Sequence, residues 1–378
     1  MKIEGLHMRP KAVEPALQGV VFALSLLVST TVYSEPRITG VKGELSEGGQ
    51  LIVSGSGFGS FGGRIIAWDD FEKHSVGQYL NGLQSSIGRT WSTQFGYNGP
   101  GLAVDNQRAM SGSNAVKVDW GADGGNTIRA FGWAQEGPVD QIYVSYHRYM
   151  EGDYQAASGY NHKQFYLFGT NSEFPQFMPL IPGGETGWAV YNNSGSFSQV
   201  PSGERGYSLT KLNYGSTSNA FQRWEWFLKV NKPESSYNGI VKGWVDGVVN
   251  WDYDDFRIGY KSGSFDDFRL GHMAQGFTDT ARAWFDDVYT ATTPARAEVC
   301  ASPDWQSCGK EKTLLIPDPE LWSDGQVVVS FRQSGLFTEN NLYLYVIDQY
   351  GSVNQSGYQL SGTVGGSLPM PPNPVQVK

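Results

Sequence analysis

Arg223-Trp224-Glu225-Trp226-Phe227-Leu228-Lys229-Val230-Asn231, with Asn238-Gly239 and Lys242-Gly243-Trp244-Val245-Asp246-Gly247 close behind, decides the class of fold. Aromatic and β-branched residues at period two suit a pleated, half-buried surface. Asp246-Gly247 after such a run is a two-residue hairpin signal. Further segments of strand length and alternating character lie to either side, at Ser113 to Trp120, Gln141 to Met150 and Lys163 to Phe168. The whole segment opens on Trp68-Asp69-Asp70-Phe71-Glu72 and closes on Trp284-Phe285-Asp286-Asp287-Val288-Tyr289, one aromatic-Asp-Asp-apolar pattern at both ends. First and last strands of a jelly roll often pair, and the repeated pattern predicts that these two do. Trp224, Trp226 and Trp244 are expected in the core.

Composition agrees with an all-β chain. Of 378 residues, 39% are apolar and only 17% charged, enough to bury more than one core. The 48 glycines, 20 tyrosines, 20 phenylalanines and 12 tryptophans fit short strands and tight turns rather than helices. The formal charge of −9 is spread along the chain with no Lys/Arg-rich block, which argues against a nucleic-acid partner.

Lys2, Arg9 and Lys11 precede an apolar run from Ala16 to Val32, and Val32-Tyr33-Ser34 suits a signal peptidase. Residues 1–34 therefore read as an export signal, with a mature start near Glu35 and Met8 as a second candidate start. An uncleaved membrane anchor is the alternative, but Ser25, Ser29, Thr30 and Thr31 dilute a run already short for a span. The expected location is secreted, periplasmic or at the cell surface, with no membrane insertion after cleavage. Cys300 and Cys308, the two cysteines, are expected to pair in such a compartment.

Both flanks carry the marks of one smaller sandwich. Ile38 to Ile66 alternates around Glu47-Gly48-Gly49 and reaches Gly55-Ser56-Gly57-Phe58-Gly59, which resembles the opening of an IPT/TIG immunoglobulin-like domain. Trp322-Ser323-Asp324, a valine-rich strand, and Leu342 to Ile347 before Asp348-Gln349-Tyr350-Gly351 resemble its second half. That resemblance implies halves at 35–66 and 296–360 with a domain inserted at 67–295; Gly365, Gly366 and the prolines after them make 361–378 an expected disordered tail. Three modules in a row is the alternative; neither flank alone could bury a full core.

The late strands of the central segment resemble those of concanavalin A-like jelly rolls, in particular polysaccharide lyases acting on uronic-acid polymers. The resemblance implies a carbohydrate partner and a site on one sheet. Alternation on 141–150 puts Tyr143, Ser145, His147 and Tyr149 on one face and Arg148 on the other. In a regular strand His162, Gln164 and Tyr166 share a side, and the lyases carry a lysine on a strand comparable to that of Lys163. Candidate catalytic residues are thus His147, His162, Lys163 and Tyr166; candidate substrate contacts are Tyr143, Arg148, Tyr149, Gln164 and His272. A lyase needs cationic or amide groups for the carboxylate and a histidine, tyrosine or lysine for proton transfer. Asp69, Asp70, Asp286 and Asp287 would repel on adjacent strands unless they share a cation, and a structural Ca²⁺ is the expected one. Three function classes stand: a glycan-binding protein, a polysaccharide lyase, and a structural or adhesive surface protein.

Overall fold

The computed structural model describes residues 34–93, 97–122, 128–169, 176–192, 207–233, 235–258, 263–332 and 342–360. The apolar run ending at Val32 and the tail from 361 lie outside these residues. The chain is a β protein of antiparallel sheets, with a jelly-roll sandwich at its centre.

The sandwich has a front and a back sheet. The front sheet runs, in spatial order, Tyr207–Asn213, Gly187–Tyr191, Gln176–Ile181, His162–Phe168, Phe265–Ala274, Phe131–Val139 and Ser92–Thr93. The back sheet runs Val248–Phe256, Gly239–Val245, Phe221–Lys229, Gln141–Glu151, Thr280–Ala291, Ile65–Asp69 and Ile87–Gly88, with Ala115–Ala122 on Thr280–Ala291 and Leu102–Asp105 beyond it. Tyr289 sits opposite Trp68 and Val288 opposite Asp69, so the first and last strands of the central segment pair. Asp246 and Gly247 both have positive φ, 52° and 77°, and close the hairpin between Gly239–Val245 and Val248–Phe256. Between the sheets Trp188, Trp224, Trp226, Phe165, Phe268 and Phe285 are buried in one aromatic-rich core. Trp244 differs from the tryptophans expected beside it: alternation turns it to the opposite face, where it is half-buried.

A third sheet draws on both ends of the chain. Its order is Arg37–Gly43, Gln50–Ser56, Gln326–Ser330, Thr313–Pro317, Arg296–Cys300, Leu342–Ile347 and Tyr358–Leu360. Leu51 faces Val329 and Val53 faces Val327, and these side chains join Phe58, Val299, Leu315, Trp322 and Leu344 in a separate core. Cys300 and Cys308 form a disulfide beside Tyr345 and Val353. This terminal sheet packs on the outer face of the back sheet, where Trp68, Tyr143 and Tyr289 meet Leu314 and Ile316.

Candidate functional site

The terminal sheet settles where Tyr143 and His147 lie. Both point from strand Gln141–Glu151 toward it. The Tyr143 hydroxyl donates to Glu225 Oε1 at 2.7 Å, and His147 Nε2 lies 3.1 Å from the Lys310 carbonyl with Nδ1 3.2 Å from Asp287 Oδ2. They hold the joint between back and terminal sheets. Tyr149, further along, packs on Phe221 and Trp284 beneath the Arg108 guanidinium, 4.2 Å from its ring.

Arg148 and His162 face inward, into the sandwich core. The Arg148 guanidinium is 5.0 Å from the rings of both Trp188 and Trp224, donates to the Thr217 carbonyl at 2.9 Å, and lies 3.4 Å from His162 Nε2. Burial pulls its pKa down to about 10. His162 Nδ1 is 2.8 Å from the Met273 carbonyl, and its ring is packed edge-on by Trp120, Trp188 and Phe277. Burial, then the Arg148 charge, lowers its pKa to about 3, so this imidazole is neutral. Gln164 is interior as well and donates to the Tyr146 hydroxyl at 2.7 Å.

Tyr166 does not share their side. The pairing of His162–Phe168 with Phe265–Ala274 shifts register between Lys163 and Phe165, so Gln164 and Phe165 both turn inward. Beyond that bulge Tyr166 and Phe168 point out of the front sheet while Leu167 points in. The neighbouring strand is irregular at the same place. Gly271 takes φ +78°, and a Cβ there would meet Phe285 and Val118 side chains at 3.2 Å.

The bulge assembles a second group of side chains. On the outer face of the front sheet, Tyr166 and Phe168 stack with centroids 4.6 Å apart, over Met178, Leu180 and Tyr191. The His272 ring lies 4.4 Å from that of Tyr166, and Lys163 Nζ is 5.6 Å from the same ring. The Arg269 guanidinium sits 4.5 Å from the Phe168 centroid, with Nε 2.9 Å from Asp267 Oδ2. Burial, then the positive charges of Lys163 and Arg269, hold the His272 pKa near 3. Burial also lowers that of Lys163, and burial followed by Tyr191 raises that of Tyr166. The buried His272 Nδ1 has no hydrogen-bond partner among the described residues. Of the nine candidate catalytic and substrate-binding residues, the structure brings together Lys163, Tyr166 and His272. Phe168, Tyr191 and Arg269 join them without having been named as site candidates from sequence; alternation ties Phe168 to Tyr166, but it would set Arg269 and His272, three residues apart, on opposite faces, and only the irregularity at Gly271 brings them together.

The four aspartates find protein donors. Asp69 accepts from Trp91 Nε1 at 2.8 Å, Ser86 Oγ at 2.8 Å and the Phe71 amide at 3.1 Å, with His74 Nε2 3.0 Å away. Asp286 accepts from the Met110 and Ser111 amides; burial, then the Asp287 charge, raises its pKa. Arg332 bridges Asp70 at 2.6 Å and Asp287 at 3.0 Å, standing where a cation was expected. Burial acts against ionised Asp287, yet His147 and Arg332 hold its pKa below the carboxylate range. Among the described residues no three His, Cys, Asp or Glu side chains form a metal-ligand set. The expected Ca²⁺ therefore has no ligand cluster at these aspartates.

No protein-family model and no curated protein matches this chain. Among solved structures it is similar to endo-β-1,4-glucuronan lyase from the fungus Trichoderma reesei, with 13% identity over 58% of this chain and 94% of that one at a TM-score of 0.36. It is similar to a doubly substituted form of the alginate lyase Aly36B in complex with alginate tetrasaccharide, with 10% identity over 59% and 95% at 0.42. It is also similar to endo-1,3-β-glucanase from Streptomyces sioyaensis, with 11% identity over 61% and 96% at 0.40. These are likenesses of architecture and carry no substrate to this chain.

Proposed function

We propose that this chain is an exported glycan-binding protein whose front sheet takes polysaccharide carrying carboxylates. In this reading residues 67–295 are a jelly roll carried by a smaller sandwich, to which the strands on either side of it contribute. The IPT/TIG resemblance of the flanks belongs to the same proposal, as does export through residues 1–34. The disulfide suits an oxidising compartment.

The observation that carries the binding reading is the outer-face cluster. Two cations, Lys163 and the Asp267-paired Arg269, flank an apolar floor that also carries the Tyr166 hydroxyl and the unpartnered Nδ1 of His272. Cations suit uronate carboxylates and hydroxyls suit sugar hydroxyls, while an apolar floor suits the C–H face of a ring. Lys163 and Arg269 keep partial exposure, whereas Tyr166 and His272 are more deeply buried.

The Tyr166–His272 contact favours a second reading, β-elimination. A neutral imidazole would take the proton on the carbon bearing the carboxylate, the electron pair would form the ring double bond, and the leaving oxygen would gain a proton from the Tyr166 hydroxyl. A carboxylate bound by Lys163 and Arg269 would offset their charges, which act after burial in making His272 a weak base. Unliganded, the imidazole is too weak a base for efficient proton abstraction, so binding stands first.

Affinity electrophoresis of the mature protein in alginate, glucuronan and a neutral glucan, with absorbance of the unsaturated product followed in parallel, tests both readings. Retardation by an acidic polymer that falls at least tenfold in Lys163→Ala/Arg269→Ala is the expected result. Product formation that His272→Ala abolishes would establish the lyase. Neither retardation nor product with any polymer would overturn both in favour of a structural or adhesive role.

A further inference from the structure

Between the back sheet and the terminal sheet lies a cavity of about 250 Å³, remote from the front sheet because it opens on the opposite face of the sandwich. Tyr143, Phe227, Trp244 and Trp305 supply aromatic lining, and Lys242, Arg296, Lys312 and Glu225 supply charge, three cations to one carboxylate. Drug-sized sites run to roughly 300–1,000 Å³, so this one suits a molecule of about one sugar ring.

The charges around it do not balance. Arg223, Arg296 and Lys312 are buried against two carboxylates, Glu225 and Glu298. Arg223 lies 2.7 Å from Glu298 Oε1 and 3.4 Å from Glu225 Oε1; Arg296 reaches Glu298 and lies 3.1 Å from Glu225. Those contacts all fall on the two Oε1 atoms, and Glu298 Oε2 has no hydrogen-bond partner among the described residues. Lys312 is left with Glu225 Oε2 at 3.7 Å and the Trp305 ring, whose centroid is 3.8 Å from Nζ. Burial lowers its pKa, against the pull of Glu225 and Glu298. Three cations thus face two carboxylates at the wall of an aromatic cavity, with Lys312 the most loosely paired, and a buried excess of one charge is costly until an anion meets it.

We infer that this inter-sheet cavity is a second ligand site, which takes a small organic carboxylate the size of one uronic acid residue. The carboxylate would pair with Lys312, and the ring would lie among Trp244, Trp305 and Tyr143. The inference is independent of the front-sheet reading.

Trp244 and Trp305 make the site its own reporter. Titration with sodium glucuronate should change tryptophan fluorescence saturably, and glucose at equal concentration should not. Lys312→Met leaves two cations facing two carboxylates, so the fold should hold while affinity falls at least tenfold. Gln306→Trp, at an exposed position on the lining, should obstruct entry without touching the charge cluster. The response should survive Lys163→Ala/Arg269→Ala. Loss of the response in that variant would place the ligand on the front sheet and overturn the second site alone. No saturable change with glucuronate, or equal affinity in Lys312→Met, would overturn it outright.

Discussion

His162 shows how far a residue's chemistry can be set by what surrounds it. A histidine beside Asn161 and Lys163 in a polar-looking strand suggests a base, yet in the fold it is sealed among aromatic rings and kept neutral. Its folded pKa, about 3, lies below the ordinary value near 6.5. Between those values the unfolded chain binds a proton that the native chain does not, so stability rises with pH across that window. The contribution is complete above pH 6.5 and drains as pH falls toward 3, at roughly 1.4 kcal/mol per pH unit. His272 acts in the same direction. Urea unfolding at pH 4, 5, 6 and 7 should therefore show a flatter stability profile in His162→Gln than in the parent, although the variant starts lower at pH 7. Parallel profiles would mean that His162 titrates normally. None of this was legible locally, because the rings that enclose His162 arrive from Trp120 and Trp188 on other strands and from Phe277 in the connection after Phe265–Ala274.

At the level of the strand, alternation was legible and its interruption was not. The split of Gln141–Glu151 into a face with Tyr143 and His147 and a face with Tyr146 and Arg148 follows from period two alone. Which face meets solvent depends on the sheet laid over it, and that sheet comes from residues far along the chain. In His162–Phe168 the same rule misplaces Tyr166, since the bulge is stabilised from the partner strand through Gly271. Gly271→Ala should cost about 1–3 kcal/mol for a left-handed alanine, with further loss from crowding Phe285 and Val118. Because His272 follows directly, polysaccharide retardation should weaken as well. Denaturant midpoint and gel retardation measured on one preparation check both effects, and an unshifted midpoint would remove the bulge from its assigned role.

For the molecule as a whole, the joint between sandwich and terminal sheet sets buried ion pairs beside its apolar contacts. Arg332, just past strand Gln326–Ser330, ties Asp70 and Asp287 and lies 4.4 Å over the Trp68 ring. Arg332→Met should cost about 3–5 kcal/mol, as buried carboxylates stripped of their partner do; a loss under about 1 kcal/mol by urea unfolding, within the range of a surface ion pair, would count against a buried tie. The aspartate pairs were visible in the sequence, but their counterion was not, because it lies more than forty residues beyond the nearer pair. The terminal sheet has one more consequence, which concerns time. Strand Gln50–Ser56 leaves the ribosome early, and its partner Gln326–Ser330 is among the last strands made. Until then Leu51, Ile52 and Val53 present an unpaired, apolar strand edge, the kind of surface on which nascent chains associate. Synthesis of the intervening jelly roll thus sets a waiting period for the hairpin that precedes it, and export as proposed above would make a chaperone on that hairpin useful until the last strands arrive.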